Sequence, residues 1–157
     1  MAEPSAPRDI VETTGRERFT VTAEQTTNVF GEQDDPPGIP AAVDADPDEA
    51  IQLLGTAPLL ARIEFVSRES IAGEIPPDTG VVGATATVTH RSAAPLGTSV
   101  LVRTEVTGVA GPEITFEGTV RTADDGRLVG SATAGLKLVD RDRFRKMVST
   151  EDDDLDT

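Results

Sequence analysis

Cysteine is missing altogether, and histidine occurs once, at position 90. The first absence excludes disulfides, thiolate nucleophiles and cysteine metal sites. The second excludes a histidine-rich metal site within one chain. Carboxylates remain as metal ligands, but nowhere in the spaced pattern of a calcium loop, so no metal and no other cofactor is expected. Lysine is scarce: Lys137 and Lys146 are two of fourteen basic residues, and the other twelve are arginine. No apolar run approaches the roughly 20 residues that span a bilayer. The opening stretch MAEPSAPRDIVETTGRE lacks the basic and apolar regions of a signal peptide. A cytoplasmic protein without a membrane partner is the expectation.

Acid is what the chain has in excess. Asp and Glu total 28 against 14 Lys and Arg, for a net charge of −14. Such a surface repels nucleic acid phosphates as well as anionic membranes, so nucleic acid is not an expected partner. An acidic interaction protein would have this composition. So would a protein adapted to molar salt, where carboxylates hold water and their repulsion is screened over about 3 Å. Scarce lysine and a core drawn from Ala, Gly and Val favour the second reading, a halophilic protein of haloarchaeal type.

The length suits one domain. Its hydrophobic residues, 37% of the chain, concentrate between Ile51 and Val139. Residues 1–15 are polar and expected to be flexible, with the folded domain over 16–148. Within it, 31–48 form an acidic loop rich in Pro and Gly, and 149–157 form an acidic disordered tail. A short strand is expected from Glu17 to Val21. The strongest helical signal lies in AIQLLGTAPLLARIEFVSRESIAG. There Thr56 is placed as a cap, Pro58 suits the first turn and Gly73 suits a stop. Leu59, Ile63 and Val66 share one face, and Glu64 sits at the margin of the apolar stripe.

Beyond EIPPDTG the period changes to two. VVGATATVTH and TSVLVRTEVTGV alternate, and EITFEGTVRT puts Ile114, Phe116 and Val120 on one face. DDG at 124–126 marks a hairpin before RLVGSATAGLKLVD, and RDRFRKMV suits a short terminal helix. One helix must then cover the buried face of four long antiparallel strands. A sheet wrapped around one central helix does so, the α+β arrangement known as the hot-dog fold. Such a sheet leaves an edge strand open, which favours a homodimer.

LLGTAPLLARIEF followed by GATATVTHRSAAPLGTSVLVRTEV closely resembles the fluoroacetyl-CoA thioesterase-like family of hot-dog thioesterases. RERFTVT near the start and GSATAG with DRDRF near the end match its flanking blocks. The resemblance covers about Arg16 to Val148. It implies an acyl-CoA thioesterase acting on a small or medium acyl group, with coenzyme A present only as part of the substrate. The family's threonine, glutamate and histidine trio falls on Thr56, on Glu64 eight residues later, and on His90 a further twenty-six on. Gly83, seven residues before His90, matches a glycine lining the family's pocket. The chain departs from the family in two places. DEAIQLLGT lacks the bulky aromatics that fluoroacetyl-selective members carry before the threonine. The last strand has Ala134 and Leu136 where those members have histidine and arginine. These departures count against fluoroacetyl specificity and leave a different short or medium acyl chain as the expectation.

The residue types fit the chemistry. Thioester hydrolysis needs an activated water or nucleophile, a proton carrier, and donors for the developing oxyanion. Glu64 could be base or nucleophile, His90 relays protons near neutral pH, Thr56 offers a hydroxyl, and amides at the helix start or near Gly83 could bind the oxyanion. Each has a plainer alternative: Thr56 a cap, Glu64 a solvated helix residue, His90 a strand end, Gly83 a packing choice. Arg91 and Arg103 could hold coenzyme A phosphates by neighbourhood alone. Two other functions fit the same scaffold, a non-catalytic acyl-CoA binding module and a hydratase or dehydratase.

Overall fold

The computed structural model describes residues 3–30 and 46–153. Most of the acidic loop expected at 31–48 and the last four residues of the expected tail lie outside them. In chain order the elements are β1 (Thr14–Thr20), β2 (Thr26–Asn28), β3 (Gln52–Leu54), α1 (Thr56–Ile71), β4 (Thr79–His90), β5 (Ser99–Ala110), β6 (Glu113–Thr122), β7 (Leu128–Asp140) and α2 (Arg141–Asp153). Short 3-10 turns precede β1, β2 and β3, and one follows α1.

Five strands form one antiparallel sheet in the order β1-β5-β6-β7-β4, and β2 pairs with β3 beside it. The period-two pattern sets which face is buried. On β6, Ile114, Phe116 and Val120 turn inward, as do Val100, Val102 and Val106 on β5 and Ala132, Ala134, Leu136 and Leu138 on β7. Leu59, Ile63 and Val66 of α1 meet them, each 2% exposed or less. The sheet offers glycine where the helix presses closest. A methyl at Gly118 would lie 2.4 Å from Ile63 Cγ2, and one at Gly130 would lie 2.7 Å from Leu59 Cδ1. Arginines tie α1 to both sheet edges. Arg62 donates to Glu17 Oε1 at 2.7 Å and lies over the Phe19 ring on β1, while Arg68 donates to the Val81 carbonyl on β4 at 2.9 Å.

Four expectations change. Thr56 is not the cap of α1: the N-cap is Gly55, whose carbonyl accepts the Leu59 N–H at 3.0 Å, and Thr56 is the first helical residue. The helix stops at Ile71 and tightens into a 3-10 turn over Ala72–Glu74, so Gly73 follows the stop. Residues 3–15 are not loose, because burying Ala6 and Ile10 among Ile71, Val106, Phe116 and Leu138 outweighs their polar neighbours. Backbone bonds from Ala6 to Gly111 and from Glu12 to Val106 hold that segment down. The terminal helix runs to Asp153, into the expected tail. Asp140 Oδ1 accepts the Arg143 N–H at 2.8 Å, satisfying a donor that the helix start leaves free.

Candidate active site

The start of α1 and the end of β4 are fixed against each other by backbone bonds. Gly55 donates to Gln25 O at 2.9 Å and Leu54 to Ala94 O at 2.8 Å, while Arg91 just past β4 donates to Val129 O at 2.7 Å. These anchors leave Thr56 and His90 facing each other, with Thr56 Oγ1 3.0 Å from His90 Nδ1. With the ring proton on Nε2, Nδ1 accepts the hydroxyl proton. The threonine side chain is therefore occupied by the histidine, and no side-chain capping bond is formed at the helix start.

Glu64 lies two turns further along α1. Its Oε1 would be 2.9 Å from a Cβ at Gly83, so only glycine lets the carboxylate come this close to β4. The same oxygen accepts from Arg68 NH2 at 2.9 Å and from Arg68 Nε at 3.3 Å. Both side chains are about one-third exposed.

Gly83 and His90 are seven residues apart, which in a regular strand puts them on opposite faces. They share a face here because the β4–β7 register shifts between Gly83 and Thr85, leaving Ala84 as the extra residue of a β-bulge. Gly83 pairs with Leu136 and His90 with Gly130, both inward positions of β7. The bulge thus turns both positions toward α1.

Within one chain the four residues form two pairs, Thr56 with His90 and Glu64 with Gly83. Thr56 and Glu64 are eight positions apart on the helix, about 12 Å along the axis. Ala134 and Leu136 are 4% and 1% exposed and belong to the core under α1. Arg103 lies on the outer face of the sheet, opposite Arg16 on β1 and Thr119 on β6, away from α1. It lines an open hollow of about 680 Å³ with Arg16, Glu105 and Glu117. Arg103 therefore faces away from α1 and from the Thr56–His90 pair. Among the described residues no group of three or more His, Cys, Asp or Glu side chains is gathered to hold a metal ion. No helix there is long and apolar enough to cross a membrane.

The sequence reading missed Arg68. Its place four residues after Glu64 is the ordinary signal of a helical ion pair, but its bond to Val81 spans two elements and has no local signature.

Solved structures share this architecture. A Thermus thermophilus hypothetical protein, a thioesterase superfamily member, superposes with a TM-score of 0.74 at 12% identity, over 93% of this chain and 95% of that one. The fluoroacetyl-CoA thioesterase FlK superposes with a TM-score of 0.69 at 20% identity, over 89% and 95%. A hypothetical thioesterase from Streptococcus pneumoniae, solved with coenzyme A, gives 0.59 at 9% identity, over 83% and 82%. No curated protein sequence matches the chain. The fold is the hot-dog fold of the thioesterases, five antiparallel strands around one helix.

The profile of one family, described as fluoroacetyl-CoA-specific thioesterase, matches residues 41–142. The chain belongs to that family, and it is a thioester hydrolase of acyl-CoA.

Proposed function

We propose that Thr56, Glu64 and His90 carry this hydrolysis, with Gly83 giving the carboxylate its room. Glu64 takes a proton from water as the water oxygen bonds to the thioester carbonyl carbon. The resulting oxyanion collapses with cleavage of the C–S bond. The sulfur leaves as a thiol with a proton delivered through His90, whose ring Thr56 orients. Acid and free coenzyme A result, and nothing beyond the coenzyme A of the substrate is needed as a cofactor. The observation that carries this reading is the 3.0 Å contact between Thr56 Oγ1 and His90 Nδ1, at the spacing the family uses. A strand-ending histidine and a capping threonine would have no reason to meet.

The working protein is a homodimer joined along β4, and its sites are shared. β4 is an edge strand, paired on one side by β7, and its central residues 83–87 are exposed. An antiparallel copy paired about a two-fold axis near Ala86 and Thr87 would set Gly83 of the partner subunit opposite His90. Glu64 of the partner subunit would then stand beside the Thr56–His90 pair, closing the gap of about 12 Å that remains within one chain.

The substrate carries a small or medium acyl group. DEAIQLLGT has no aromatic residue before Thr56, where fluoroacetyl-selective members have bulky ones, which supports a group other than fluoroacetyl. The acid excess and scarce lysine support work at molar salt, as in a halophile.

Thiol release from a panel of acyl-CoAs in about 2 M salt, enough to screen the acidic surface, tests this. His90→Ala and Glu64→Gln are each expected to lose roughly 100- to 10,000-fold in kcat. Undiminished turnover in either variant would overturn that residue's role.

A further inference from the structure

Arg68 stands four residues after Glu64, where a helix ordinarily carries a solvated ion pair of little consequence. Its contacts are of another kind. Two guanidinium nitrogens, NH2 at 2.9 Å and Nε at 3.3 Å, converge on Oε1 of Glu64, while NH1 donates to the Val81 carbonyl at 2.9 Å. Val81 lies on β4, two residues before the glycine over which Glu64 rests. The guanidinium is thus braced by the strand and holds one oxygen of the carboxylate in place. Oε2 receives no bond from Arg68 and is left to take a proton.

We infer that Arg68 is a positioning residue for the hydrolysis: it fixes Oε1 of Glu64 against β4 so that Oε2 is presented to the attacking water. The inference rests on the reading of Glu64 as the base. A planar fork suits the task, because it engages carboxylate and carbonyl at once, which the single ammonium of lysine does less well. Misplacing a reacting group by about 1 Å can cost on the order of 100-fold in rate.

The test is steady-state thiol release by the full chain, with the thermal midpoint measured for every variant. Arg68→Ala is expected to lower kcat about 10- to 100-fold with KM within about twofold, and added guanidinium well below unfolding concentrations restores part of the loss. Arg68→Lys falls between the two. In a Glu64→Gln background, Arg68→Ala has no further effect on the residual rate. Unchanged kcat in a folded Arg68→Ala, beside an inactive Glu64→Gln, would overturn the positioning role and leave Glu64 as base. A fully active Glu64→Gln would instead overturn the reading of Glu64 itself. Equal losses in Arg68→Ala with and without Glu64 would mark a purely structural bond and also overturn the inference.

Discussion

A methyl group at Gly83 would sit 2.9 Å from Glu64 Oε1, and the atom it displaces is the end of a flexible side chain. Gly83→Ala is therefore expected to cost little stability while lowering kcat about 10-fold or more; paired melting curves and thiol-release assays check both. Thr56 allows a similar separation. Losing a true cap costs about 1 kcal/mol, but Gly55 holds that position. Thr56→Ala is expected to keep the thermal midpoint and lose turnover, and the opposite pattern would restore the capping role. The four candidate residues could be picked out in the sequence because the resembled family's spacing falls on them. Their partners could not, since the contact of Thr56 with His90 spans 34 positions.

At the scale of elements, the helix face and the strand faces were legible because burial follows periodicity. Leu59, Ile63 and Val66 are buried as their spacing requires, and β6 alternates as its sequence does. Short pieces were not legible. Three residues of β2 and three of β3 carry too little pattern, and the bulge at Ala84 depends on its register with β7. The close contact of α1 with β6 yields a prediction: Gly118→Val forces a side chain into Ile63 and is expected to destabilise the fold by about 1–3 kcal/mol, read by denaturant titration. The β6–β7 turn yields another. The Thr122 hydroxyl, then the Arg127 backbone N–H, holds the Asp125 carboxyl below its ordinary pKa. A lowered folded-state pKa stabilises the turn above the ordinary carboxylate range, and the effect fades as pH falls through the folded value. The stability difference between wild type and Asp125→Asn should therefore be steady near neutrality and shrink in acid, as melts across that range would report.

For the whole molecule, the separation of Glu64 from the Thr56–His90 pair sets up a mixing experiment. Glu64→Gln and His90→Ala chains, each inactive alone, are unfolded, mixed in equal amounts and refolded. Sites shared across β4 would give half the dimers one intact site each, so about a quarter of wild-type activity should return. Sites confined to one chain would return nothing. The charge of −14 gives a second expectation. Both the thermal midpoint and the affinity for anionic acyl-CoA should rise with salt into the molar range, as carboxylate repulsion is screened.

The sequence by itself determined the helix, the four long strands, the arrangement of sheet around helix, and the candidate residues. The elements and their arrangement follow from local period and composition, and the candidate residues from the resemblance to the thioesterase family. Only the tertiary structure decided that Thr56 faces His90 instead of capping, that Ala84 turns Gly83 and His90 to one side, that Arg68 grips Glu64 from β4, and that Arg103 points away. These depend on which residues distant in the chain become neighbours, and that is set by strand register and by how closely the helix presses on the sheet.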